Sequence, residues 1–294
     1  MTNKKKEFLS RHMDSTIWND FEFRENDIII SSYAKSGTTW TQQIISQLLF
    51  SGEQHIIHNK SPWLEYRTPK KEEKLKNLAK QQHRRFIKTH LPTDSLVMSK
   101  KAKYIYLARD GRDVLFSLYN HHNKANGDWY EFLNSQDDNL GPKFTKPTSS
   151  IRDYFHTWLD NNGSPFWPYW ENISSWWKIR DEQNVLLLHF SNLKKDPEHE
   201  IKRIADYLEI TVPNELWPTI LKHSSFEYMK EHAEDIVPGG GKYWVGGPQT
   251  FIHKGTNQRW KSALTKEDSQ KYEAIAVREL GKDCAKWLEI GILN

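Results

Sequence analysis

The chain has 294 residues, of which 37% are hydrophobic, 13% aromatic and 27% charged, and 13 are tryptophans. That composition excludes a disordered chain, and the length carries one large α/β domain or two small ones. A formal net charge of +4 falls short of the dense basic stripe of a nucleic-acid binder, and a single cysteine, Cys284, excludes an internal disulfide.

The opening residues, MTNKKKEFLSRHMDS, are basic but lead into no apolar run, so they do not read as a secretion signal. No stretch approaches the roughly 20 apolar residues of a membrane span. These features predict a cytoplasmic protein, with 1–15 a loose tail ahead of a single domain filling 1–294. Asp27–Ser31 is a short β-branched run and reads as a buried strand. After a glycine-containing loop, Trp40, Ile44, Ile45, Leu48 and Leu49 share one helical face. Residues 69–82 read as a solvated helix rich in lysine and glutamate. Arg85–His90 is a second strand, stopped by Pro92. Lys103–Ala108 is a third strand, followed by helical spacing at Val114, Leu115, Leu118 and Tyr119.

The polar segment 123–150 reads as loop. Ile151–Leu159 and Pro168–Arg180 carry aromatics at helical spacing, and Val185–Phe190 is a fourth strand. Asp196 caps a helix that begins with Pro197 and turns Ile201, Ile204, Ala205 and Leu208 inward. A helix over 214–222, a glycine-rich loop over 237–249 and a helical end over 266–290 complete the chain. Strands alternating with helices predict an α/β fold, with a central, mostly parallel sheet flanked by helices.

In a parallel sheet, ligands sit beyond the carboxyl ends of the strands. The segment Tyr33–Thr39 occupies such an end, directly before a helix whose first N–H groups lack partners. Gly37 lets the backbone close around an anion, Ser36, Thr38 and Thr39 add hydroxyls, and Lys35 adds a mobile charge. This is an anion cradle. It is not the Walker order, because the lysine precedes the glycine. By itself it leaves open sulfuryl transfer, an ATP-dependent P-loop-like kinase, or nucleotide binding without catalysis.

YAKSGTTW resembles the Y-P-K-S-G-T-T-W loop of the cytosolic-type sulfotransferases, with Ala34 in place of proline. The resemblance implies a P-loop-like three-layer fold and the donor 3′-phosphoadenosine 5′-phosphosulfate. Lys35, Ser36, Gly37, Thr38 and Thr39 would then hold the phosphosulfate, with Trp40 against the adenine. Lys88-Thr89-His90-Leu91-Pro92 is similar to the family's K-[ST]-H-L-P, whose histidine is the general base. An attacking hydroxyl must lose its proton, and imidazole titrates near neutrality. Lys88, two residues back, faces the same side of the strand and would offset charge on the sulfuryl oxygens; Lys35 would do so on the leaving phosphate oxygen.

Arg109 and Ser117 stand in the pattern R-x-x-x-D-x-x-x-S, which in the family binds the 3′-phosphate. Arginine suits that role because its planar fork makes paired hydrogen bonds. Phe251-Ile252-His253-Lys254-Gly255 followed by Trp260 resembles the late signature F-x-R-K-G-x-x-G-D-W-K. There His253 replaces an arginine, and Arg259 is a substitute for the lost charge. The form K-G-T-N-x-R-W is closer to bacterial members, including glycolipid-type sulfotransferases. Phe190 and Ser224-Ser225-Phe226-Glu227-Tyr228-Met229 match adenine-lining positions, although on the residues alone they also read as core. The resemblance covers about 17–275. It implies a small-molecule or glycolipid hydroxyl acceptor and no metal. The family's dimer motif is half present, at Lys261 and Thr265. His121-His122 has no third ligand at fitting spacing and reads as a helix-end pair. The aromatics of 154–177 and the 237–249 loop read as acceptor pocket and lid, or as packing and solvent loop.

Overall fold

The computed structural model describes residues 5–293. Its sheet has four strands: β1 (Asp27–Ser32), β2 (Phe86–Thr89), β3 (Ala102–Ala108) and β4 (Val185–His189), in the order β2-β1-β3-β4. Every pairing is parallel, with Ile29 opposite both Ile87 and Tyr104, and Tyr106 opposite Leu187. All four carboxyl ends therefore lie on one edge. After β1 the chain moves to one side for β2 and then crosses to the other for β3, so β1 sits where the order reverses. That is where open α/β sheets bind ligands.

The period of two along each strand divides the core. Ile28, Ile30, Phe86, Ile105, Leu107, Leu186 and Leu188 face one layer of helices. That layer is α1 (Thr38–Leu49), together with two helices met later, Pro197–Leu208 and Trp217–His223. Ile29, Ile87, Tyr104, Tyr106, Val185 and Leu187 face the other layer. After α2 (Lys71–Lys80) at the periphery, this second layer comprises α3 (Gly111–Lys124), α5 (Ile151–Asp160) and α6 (Tyr169–Lys178), with α4 (Gly127–Asn134) alongside. Helix α7 (Phe190–Lys195) leaves β4 directly, α8 and α9 are Pro197–Leu208 and Trp217–His223, and α10 is Phe226–Glu231. Two terminal helices, α11 (Lys266–Leu280) and α12 (Lys282–Ile290), close the second layer through Tyr272, Ala276, Trp287 and Leu288. The helical end expected over 266–290 is present as these two helices, divided at Gly281, whose φ of 77° ends α11. No helix among the described residues is long and apolar enough to cross a membrane.

Three expectations are corrected. The described part of the tail, residues 5–15, is not loose from residue 8 onward: Met13 is fully buried, Arg11 is 2% exposed, and Leu9 and Met13 form bridges with Asp14 and Tyr66. The Arg11 guanidinium binds the carbonyls of Gln136, Gly141 and Pro142, so a residue read as solvated closes a loop from within. The polar segment 123–150 contains α4, capped by Asn126 and buried through Trp129 and Leu133. Phe190 does not end β4 but starts α7, because the His189 ring accepts the Ser191 N–H and caps that helix.

Candidate active site

The loop after β1 turns sharply at two positions. Lys35 has φ of 66° and Gly37 φ of 114°, which carries the chain from strand to α1 without a side-chain cap. At Gly37 a Cβ would sit 2.9 Å from both Leu107 Cδ2 and the Phe190 ring, so only glycine fits. The first N–H groups of α1 are thereby left to an external acceptor. Ser32 Oγ and Thr38 Oγ1 hydrogen-bond at 2.5 Å, tying the strand end to the helix start. Ser36 is buried and its Oγ has no partner among the described residues.

Lys35 Nζ lies 3.9 Å above the Phe251 ring and 3.4 Å from His121 Nδ1. Burial, with Lys88 and Arg109 nearby, lowers its pKa to about 7. The same desolvation lowers Lys88 to about 8, where the Glu65 carboxylate partly restores the charge. Lys88 Nζ rests 4.6 Å from the Trp63 ring.

His90 follows β2 and is 3% exposed. Its Nδ1–H donates to the Ser32 carbonyl at 2.6 Å, which fixes the tautomer and leaves the Nε2 lone pair without a partner among the described residues. Its backbone N–H donates to Glu65 Oε1 at 2.6 Å, and its carbonyl accepts from Asn172 Nδ2 at 2.9 Å. Trp63 stands edge-on at 4.8 Å and Trp167 lies at 5.3 Å. Desolvation and then Lys88 hold the His90 pKa well below the ordinary histidine value, so the imidazole is neutral and able to accept a proton.

Arg109, at the end of β3, stacks on Phe190 at 4.1 Å and donates from Nη2 to the Thr256 carbonyl at 2.8 Å and Asn257 Oδ1 at 3.1 Å. Its Nε is buried with no partner among the described residues. The loop carrying Thr256 is drawn over α3 by the Asp113 carboxylate, which accepts the Gln258 N–H at 3.0 Å and the Arg259 N–H at 3.3 Å. Gly255 has φ of 58°, and a Cβ there would meet the Phe226 ring at 2.7 Å. Trp40 Nε1 donates to the Ser224 carbonyl at 2.8 Å, and its ring meets Phe190 edge-on at 5.4 Å, while Ser224 Oγ is buried with no partner among the described residues.

One cavity of about 1260 Å³ joins these groups, enough space for two substrates at once. Lys35, Gly37, Thr38, Thr39, Trp40, Lys88, His90, Arg109 and Ser117 line it. So do Phe190, Ser224, Ser225, Phe226, Met229, Phe251, His253, Lys254, Gly255 and Arg259. Of the donor-site residues singled out from the sequence, Ser36, Tyr228 and Trp260 do not. Met229 divides its surface between the cavity and a satellite core with Ile57 and Ile236. The aromatics of 154–177 are mostly core: Trp158, Tyr169 and Trp176 are 1% exposed or less, and only Phe166 and Trp167 reach the cavity. The glycine-rich loop is docked, with Trp244 bridging to Ala125 and donating to His121 Nδ1 at 3.1 Å.

Four residues in or beside the site carry no motif. Glu65 is fully buried and its carboxylate accepts from Trp18 and Trp63 Nε1, Thr89 Oγ1 and the His90 N–H. Asn172 spans Tyr106 and the His90 carbonyl. His121, in the last turn of α3 as half of the helix-end pair, touches Lys35 and Trp244. His12, from the supposed tail, lies in the cavity wall. Apart from the alternation of Trp63 and Glu65 ahead of β2, nothing local marks them. Among the described residues no group of three or more His, Cys, Asp or Glu is placed to hold a metal.

Residues 25–283 match the family model described as the sulfotransferase domain. Sulfotransferase 1B1 of Mus musculus is 32% identical over 277 residues, covering 89% of this chain and 85% of that protein. A glycolipid sulfotransferase of Mycobacterium tuberculosis is 28% identical over 291 residues, covering 90% and 88%. Among solved structures, a mouse sulfotransferase complexed with PAP superimposes with a TM-score of 0.72 at 21% identity, covering 93% of this chain and 92% of that one. A retinol dehydratase in complex with androsterone and PAP gives 0.69 at 22% identity, covering 90% and 83%.

Proposed function

This chain belongs to the sulfotransferase domain family, and on that premise we propose that it moves a sulfuryl group from 3′-phosphoadenosine 5′-phosphosulfate to an acceptor hydroxyl, with His90 as the base. The observation that carries the reading is the shared cavity. A neutral imidazole with Nε2 unpartnered and an uncapped helix start with its lysine open onto the same space.

The buried polar atoms fit an adenosine bisphosphate. Arg109 and Ser224 line the cavity, and Arg109 Nε and Ser224 Oγ are buried without a partner among the described residues, a state that costs about 1–3 kcal/mol apiece and that a bound phosphate or adenine would relieve. PAP in two solved neighbours agrees with that chemistry. The cradle residues Gly37, Thr38 and Thr39 would hold the 5′ end, and Arg109, Ser117 and Lys254 the 3′-phosphate. Arg259 lines the cavity beside Lys254 and would supply the charge that His253 does not, since burial and the neighbouring Arg259 and Lys254 push the His253 pKa down. Trp40, Phe190 and Phe226 would flank the base.

When bound, the donor supplies the sulfuryl group in a form that a hydroxyl can attack in line, and the protein's work is mainly positional and electrostatic. His90 Nε2 takes the acceptor proton, while the Ser32 carbonyl keeps Nδ1 protonated and stabilises the imidazolium that results. Lys35 and Lys88 hold positive charge against the oxygens that gain negative charge. The acceptor would occupy the part of the cavity lined by Trp63, Trp129, Phe166 and Trp167. The relatives include a glycolipid sulfotransferase and a protein holding androsterone, so small hydroxylated molecules and glycolipids are both within the family's range.

The test is His90→Ala and His90→Asn, assayed for transfer of radiolabelled sulfate and for PAP binding by calorimetry. Transfer falls by at least about 10³-fold while PAP affinity stays within a few-fold. Retained turnover removes His90 from its role; lost PAP binding makes it a structural residue.

A further inference from the structure

His12 is the unusual side chain of this cavity. It is 5% exposed, and its ring is boxed by Trp63, Trp129, Phe144, Phe166 and Trp167 at centroid distances of 4.9 to 6.4 Å. Its main chain is pinned: the N–H contacts Ser10 Oγ at 3.3 Å and the carbonyl accepts the Arg67 N–H at 3.0 Å. Its ring nitrogens have no hydrogen-bond partner among the described residues. The other deeply buried histidines do have one: His90 on the Ser32 carbonyl, His122 on Tyr154 Oη, His189 on the Leu288 carbonyl. His12 lines the cavity, so its ring nitrogens are free to bond a molecule held there.

The placement names what that molecule is. His12 and His90 pack against the same two indoles, Trp63 and Trp167, and both line the cavity. The surface between them is aromatic, with Phe132 and Tyr243 extending it. A flat ring system matches such walls, because offset and edge-to-face contacts add about 0.5–1.5 kcal/mol per pair beyond the area buried. Burial, with His122 nearby, lowers the His12 pKa to about 3, so the ring stays neutral and presents one donor and one acceptor. That pairs with a hydroxyl or an amide.

Building on the sulfotransferase reading, we infer that His12 is a specificity-determining residue, and that the acceptor is a flat aromatic alcohol carrying a second hydrogen-bonding group. One hydroxyl faces His90 Nε2 and the second polar group faces His12. An apolar pocket discriminates weakly against a missing hydroxyl, whereas a site built to bond one discriminates strongly, because the buried partner is otherwise left bare.

The test compares two pairs of acceptors of different length: 2-naphthol with 2,6-dihydroxynaphthalene, and 4-hydroxybiphenyl with 4,4′-dihydroxybiphenyl. The readout is the ratio of kcat/KM for diol over mono-ol within each protein, which cancels general damage. In the wild-type protein at least one pair gives a ratio of about 10- to 100-fold, the worth of one buried hydrogen bond. His12→Leu brings that ratio to the statistical factor of about two for two hydroxyls, and His12→Gln restores part of it. Should His12→Leu fail to fold, His12→Phe refills the box and is read the same way. A wild-type ratio near two in both pairs, or a ratio unchanged in the leucine and phenylalanine variants, overturns the inference. If neither series is sulfated while PAP binds and another alcohol is turned over, the aromatic acceptor is refuted and the donor reading stands. If no alcohol is turned over and PAP does not bind, the sulfotransferase reading itself fails.

Discussion

Replacing Glu65 with glutamine removes one charge and no volume, and it isolates the group that holds His90 in place. In the protein Oε1 accepts from Trp63 Nε1 at 2.6 Å, Thr89 Oγ1 at 3.0 Å and the His90 N–H at 2.6 Å, and Oε2 accepts from Trp18 Nε1 at 3.1 Å. A glutamine that keeps its oxygen at the three-donor position turns its NH₂ toward the Trp18 N–H, donor against donor. One buried donor is then orphaned at about 1–3 kcal/mol, and three bonds drop from charge-assisted to neutral strength, a loss of about 1 kcal/mol each. Relief of the desolvation that raises the Glu65 pKa offsets part of this, leaving a net destabilisation of about 2–4 kcal/mol. At roughly 2 °C per kcal/mol for a chain of this size, the melting midpoint falls by about 4–8 °C. The His90 main chain loses its strongest tether, so kcat falls by about 10- to 100-fold while PAP affinity, set at the cradle, changes little. The Lys88 pKa, held near 8 with Glu65's help, drops further, and the alkaline limb of the pH–rate profile moves to lower pH. Differential scanning fluorimetry and a labelled-sulfate assay across pH read all three. A variant with an unchanged midpoint and an unchanged alkaline limb would show that Glu65 neither anchors His90 nor supports Lys88.

Two further outcomes come from the donor side. Lys35, at about 7 in the empty site, must be charged to hold an anion, so it is competent below that pH and loses its proton as pH rises through it. PAP affinity therefore weakens between pH 7 and 9, and binding at pH 7 takes up about half a proton, which calorimetry in buffers of different ionisation enthalpy measures. Affinity independent of pH over that range contradicts the lowered pKa, and Lys35→Gln flattens the dependence at weaker affinity throughout. Gly37→Ala forces φ of 114° on a residue with a Cβ and drives that atom to 2.9 Å from Leu107 and Phe190. PAP binding then falls by at least about 10-fold with a midpoint loss of a few degrees, and wild-type affinity in that variant refutes the tight cradle.

Much of this protein was legible in its linear order. Runs such as III and VLLL have no choice but burial on both faces, and their period of two divided the core into the two layers observed. The cradle, the Lys88–His90 pair and Arg109 were visible because each lies at the carboxyl end of a strand, where position along the chain already determines position at the sheet edge. Glu65, Asn172, His121 and His12 were not visible. Each acts on a partner distant in sequence, such as His90 at 25 residues from Glu65 and 82 from Asn172. The first residues read as a solvated tail because their charges look solvated, yet Arg11 spends its charge on loop carbonyls and places His12 among indoles. Hydrophobic periodicity and turn chemistry act between near neighbours, so the sequence alone determined the strands, the loop chemistry and the family. The partners of a buried polar group are assigned only when distant segments pack, so tertiary structure decided what steadies His90 and what lines the cavity opposite it.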